Sequence, residues 1–171
     1  SWREEGALAE SVLGQQGGTL IGVDQEFLLS PRMLLAALQK LAPDEDARKL
    51  AESLAERDTQ AYTAMIDKHD PGQVLLPKLG GKDFASLRQA FKGAKPRAAR
   101  IIDALDASAA IYRTQETAPY NSNRYRSLLM KHNFMERYRE LSAKQSMPRV
   151  LFKLGANHMG RGIGPTGQFD L

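Results

Sequence analysis

Apolar residues recur at helical spacing along most of this chain, and in two short places they run consecutively. Trp2, Ala7, Leu8, Val12 and Leu13 fall close to one helical face, and Gly17-Gly18 ends that pattern. Ser30-Pro31 supplies a capping residue and a proline at the first helical position, before an apolar stripe of Met33, Leu34, Leu35, Leu38 and Leu41. After a break at Ala42-Pro43-Asp44, a helix is predicted over Glu45 to Arg57, with Leu50 and Leu54 four apart. Asp58 reads as the cap of a further short helix to Lys68. His69-Asp70-Pro71-Gly72 is a turn, and Lys78 to Lys82 is a flexible loop. Asp83 is placed to cap a helix ending at Phe91. Pro96 opens a longer one carrying Ile101, Ile102, Leu105, Ala109 and Tyr112. Pro119 to Ser122 interrupts the pattern before a helix from Asn123 to Lys144.

The two consecutive runs, Thr19 to Val23 and Arg149 to Leu154, read as buried strands. The first delivers Asp24, Gln25 and Glu26 to its C-terminal end. The second feeds a loop with glycines at 155, 160, 162, 164 and 167, in which His158 and Arg161 sit. Open α/β folds place their chemistry on such loops. The expected fold class is therefore α/β: few parallel strands in one domain over 1–171, with a large, mainly α-helical insertion at 30–145. Segments 18–26 and 148–171 would carry the site. Two parallel strands cannot cover themselves, since such sheets need further strands and helices on both faces. That shortfall, together with ends that look cut, predicts a portion of a longer α/β protein.

A chain of 171 residues is one domain by length and can bury a core without staples. With no Cys, disulfides and thiolate metal sites are excluded, while the compartment stays open between cytoplasm and periplasm. Positive charge (+4 net, 24 Lys and Arg against 20 Asp and Glu) alternates with negative charge along most of the chain. It concentrates only at Lys92, Lys95, Arg97 and Arg100, and again from Arg124 to Arg139. Neither stretch carries a nucleic-acid motif or interleaved aromatics, so nucleic acid is not an expected partner. No apolar stretch approaches the roughly twenty residues of a membrane helix.

His158 is the candidate for acid–base work, because imidazole titrates near neutral pH. Asp24 and Glu26, on one side of a continuing strand, are candidates to orient it, to polarise water or to bind a cation. Arg126, Arg161 and Asn157 are the candidate substrate-binding residues, since guanidinium presents a planar fork to carboxylate or phosphate. The glycines match neither a dinucleotide fingerprint nor a P-loop, and no metal-ligand spacing is present, so no cofactor is expected. His69 and His132 read as surface or packing residues.

Three segments, Ile21 to Asp24, Arg126 to Asn133 and Val150 to Arg161, together resemble the erythromycin esterase family and its relatives, including the haem-uptake ChaN-like and Tiki-type proteins. Ile21-Gly22-Val23-Asp24 is similar to the family's strand ending in Gly-x-Asp. Arg126 to Asn133 resembles a helix pattern of Arg-Asp-x-x-Met followed three residues later by Asn, with Ser127 in place of the aspartate. Val150 to Arg161 resembles an apolar strand and a His-Asn-x-His loop, in which His158 matches the second histidine while Gly155 and Ala156 replace the first histidine and the Asn. In the family, an N-terminal strand adds a Glu and a His that activate water, and residues 1–17 contain no counterpart. The resemblance implies His-assisted hydrolysis of an ester or related small molecule. A non-catalytic haem- or metal-binding protein and a helical interaction module are the other readings.

Overall fold

The computed structural model of the chain describes residues 2–144 and 146–153. Six α-helices account for most of them: α1 (Trp2–Leu13), α2 (Pro31–Leu41), α3 (Glu45–Lys68), α4 (Gly81–Ala90), α5 (Pro96–Thr117) and α6 (Pro119–Ser142). Short 3₁₀ turns at Pro71–Gln73 and Leu76–Lys78 bridge α3 to α4. Helix α2 packs on α3. Helix α5 packs against α2, α4, α6 and the Leu76–Lys78 turn, so it forms the axis of the domain. Leu35 and Leu38 of α2, Leu54 of α3, Leu76 and Leu79 between helices, Phe84 and Leu87 of α4, and Ile102 and Leu105 of α5 interlock in one core, all at most 2% exposed.

Local chemistry accounts for the helix ends. The Asp44 carboxylate accepts from the Ala47 N–H at 2.8 Å and caps α3. The helix ends at His69, which takes the left-handed conformation (φ 51°) and returns its N–H to Ile66. Asp83 acts from the third position of α4, accepting from the Gly80 N–H at 2.9 Å, while Arg57 of α3 donates to its other oxygen at 3.0 Å. Ala118, forced out of helical geometry before Pro119, separates α5 from α6. Buried Ser122 donates to the Ile111 carbonyl across that break, and Arg100 reaches Glu140 far from it, so α5 and α6 run antiparallel.

Three expectations change. No strand occurs among the described residues, so the α/β class with parallel strands gives way to a helix-dominated fold. A strand exists only through a paired backbone ladder, and residues 19–23 and 149–153 form none with each other; helix side chains take up part of their backbone instead. Helix α3 runs unbroken through Asp58, which is buried in its middle rather than capping a new helix. Helix α6 starts at Pro119, four residues before the expected start, because the proline opens that helix rather than interrupting it. None of the described helices is long and apolar enough to cross a membrane.

Two outcomes follow from this packing. Phe84→Ala removes a ring with no exposed surface, and denaturant titration should record a loss of about 3–5 kcal/mol. Burial pushes the Asp58 carboxyl up, against a smaller pull from Arg32. An acid raised on folding holds its proton more tightly in the native state, so stability falls as pH rises from its unfolded value through its folded one. Asp58→Asn should therefore raise the melting temperature at pH 7, and the difference from wild type should vanish below about pH 3, where the carboxyl is neutral in both states.

Candidate functional site

The segment 21–26 lies as a strap over α5 and α6 and forms one wall of a cleft of about 1050 Å³. Helix side chains hold its backbone at three points. Ser108, on the buried stripe of α5, accepts from the Glu26 N–H at 2.8 Å and sends its own proton to the Ala104 carbonyl at 2.6 Å. The Tyr112 hydroxyl, one turn further along, donates to the Glu26 carbonyl at 3.0 Å. From α6, the Asn133 amide donates to the Val23 carbonyl at 2.9 Å. Both polar backbone groups of Glu26 are thereby satisfied, and its side chain borders the cleft.

Asp24 turns toward α6. Arg126 donates to both of its oxygens, Nε at 2.7 Å to one and Nη2 to the other, in the bidentate geometry that suits guanidinium and carboxylate. That hydrogen bonding raises the Arg126 pKa against the cost of its burial. The chain bends at Asp24, which breaks the strand alternation that would set Asp24 and Glu26 side by side. Gln25 turns inward against Tyr112, whose phenol burial pushes up in pKa while a hydrogen bond from Gln25 opposes that shift. The phenol stays protonated and available as a donor. The Gln25 Oε1 atom is buried and accepts no hydrogen bond from the described residues.

The cleft extends along α5 and α6 away from this end. Ile101 and Ala104 of α5, Leu129 and Met130 of α6, and Leu34 of α2 give it an apolar lining, and His132 borders it midway. Arg97 and Arg100 of α5 and Arg137 of α6 stand at the far end. At 1.5 Å per residue, Arg97 lies roughly 16 Å and Arg100 roughly 12 Å from Ser108 along α5, and Arg137 lies roughly 16 Å from Arg126 along α6. Lys153 also borders the cleft and pairs with Glu5 of α1 at 2.8 Å. One residue earlier, the Phe152 ring meets Phe134 of α6 edge-on, with centroids 4.8 Å apart. Residues from the segments singled out in the sequence therefore adjoin one another: Asp24 lies beside Arg126, Asn133 holds Val23, and of the third segment Phe152 meets α6 and Lys153 borders the cleft.

Of the expected site residues, Asp24 and Arg126 come together, and Glu26 borders the same cleft as Asp24. His158, Asn157 and Arg161 lie outside the described residues. Arg126 is committed to Asp24 rather than presented to a substrate. Ser108 and Tyr112 were missed as anchors, although Ser108 shows a readable signal: a polar residue on the stripe of Ile101, Leu105 and Tyr112. Among the described residues no group of three or more His, Asp or Glu side chains is placed to hold a metal ion.

Ser108→Ala strips the Glu26 N–H of its acceptor, and denaturation should show a loss of about 1–3 kcal/mol. Amide exchange at Glu26 should accelerate in parallel, while a pure packing change would leave it unaltered. Comparison with protein-family models, curated proteins and solved structures yields no match to this chain.

Proposed function

We propose that this cleft binds an elongated small organic molecule, and that the chemistry performed there is His-assisted hydrolysis of an ester or related bond, of the erythromycin esterase type. One observation carries the reading: the residues of the family-like segments converge at the cleft although they are far apart in the chain. Arg126, Met130 and Asn133 follow one another at helical spacing on the face of α6 turned to the strap. Arg126 binds Asp24, Met130 is buried and Asn133 holds Val23.

In this reading Asp24 does not act as the base, because both of its oxygens are engaged by Arg126. The pair braces the mouth of the cleft. Glu26 offers a carboxylate on a backbone held at both polar groups, and His158 is the residue assigned to proton transfer. A second reading, ligand binding without turnover, is supported by that same engagement of Asp24, which leaves one fewer carboxylate to activate water.

His158→Ala decides between them. In the hydrolase reading, turnover of a panel of p-nitrophenyl and macrolide-type esters by the full-length protein falls about 10²–10⁴-fold, with the melting temperature unchanged. Turnover at the wild-type rate rejects His158 as the acid–base group. No turnover by wild type, combined with a ligand-induced rise in melting temperature, favours binding alone.

A further inference from the structure

Two basic stretches stand apart in the sequence and have no part in the strap: Lys92 to Arg100, and the C-terminal half of the 124–139 run. The antiparallel pairing of α5 and α6 brings them to one end of the cleft. Arg97 and Arg100, one turn apart on α5, line it there together with Arg137 of α6. One carboxylate already links the two helices at this point. Glu140 accepts from Arg137 Nη1 at 2.8 Å through one oxygen and from Arg100 Nη2 at 3.5 Å through the other. Arg97 forms no ion pair among the described residues, and the carboxylates on this stretch of the lining are Glu136 and Asp103, the latter engaged by Arg88 of α4 at 2.9 Å.

Each guanidinium carries five N–H donors in a fixed fork. Arg100 and Arg137 each use one on Glu140, so most of their donors remain for a second anion. With Asp103 already engaged by Arg88, three arginines on the lining stand against Glu136 and the shared Glu140, which leaves this end positive. The opposite end presents Glu26 and the neutralised Asp24–Arg126 pair, with apolar side chains between the two ends. The polarity of the cleft thus follows its length.

We propose that the ligand carries an oxyanion, a carboxylate or a phosphate, which lodges between Arg100 and Arg137 with Arg97 beside it, roughly 12–16 Å along the helices from the Glu26 end. The oxyanion-binding role that the sequence suggests for Arg126 passes to these three residues. The inference rests on reading the cleft as a ligand site, but not on hydrolysis.

The test titrates the full chain with pyrophosphate and, separately, with succinate at constant ionic strength, following heat and the melting temperature. One of the two probes should bind wild type, and which one does so identifies phosphate or carboxylate as the group. The Arg100→Gln/Arg137→Gln double variant should bind at least tenfold more weakly. Arg139→Gln, exposed and two residues round the helix from Arg137, should stay within twofold of wild type. Glu140→Gln, which frees both guanidiniums, should bind severalfold more tightly; this exposed substitution decides the matter if the double variant does not fold. Failure of both probes to bind overturns the proposal, as does an equal loss on Arg139→Gln, the mark of diffuse attraction to any polyanion, nucleic acid included. Because binding is read without turnover, a chain that hydrolyses no ester can still support or overturn it.

Discussion

The backbone of residues 21–26 needs partners that no neighbouring strand provides, and the cleft depends on how that need is met. Inside a folded chain, an unpaired peptide group costs about as much as a lost hydrogen bond. Ser108, Tyr112 and Asn133 supply the missing donors and acceptors from helix side chains. They lie on faces of α5 and α6 already set by core packing, so the strap inherits the rigidity of those helices. Its two carboxylates and the Gln25 amide are in turn presented at fixed positions.

Charge is then distributed along the cleft by which pairs close. Arg126 meets both oxygens of Asp24 through its Nε and Nη2 and removes that carboxylate from the inventory of free bases. Side chains about one-third exposed limit such a pair to about 1 kcal/mol of stability, so its main effect is orientation of the strap's bend rather than folding energy. Glu26 borders the cleft, and Arg100 and Arg137 at the far end share Glu140. The cleft is thereby acidic at one end and basic at the other, with apolar side chains between them.

Much of the helical framework was legible because its signals are local. Proline at the first helical position, Asp44 as a cap, and the stripes of α2 and α5 each act within a few residues. Errors arose where local signals were ambiguous. Asp58 is a good cap residue in isolation, yet α3 carries it through its middle, because Ala51 and Leu54 continue a buried face on which Asp58 also falls. Thr19 to Val23 has strand composition, yet composition cannot provide the second strand that a ladder requires.

For the site, residue types and spacing alone were enough to single out Asp24, Glu26 and Arg126, and to mark two separate basic stretches. They also set the helical periodicity that puts Arg126, Met130 and Asn133 on one face. Only the tertiary structure decided that Arg126 is occupied by Asp24, that Ser108 and Tyr112 hold Glu26, and that Arg97, Arg100 and Arg137 share one end of a cleft. The physical reason is range. Caps, turns and periodicity depend on neighbours within a turn or two, whereas a partner eighty or a hundred residues away is chosen by how whole helices pack.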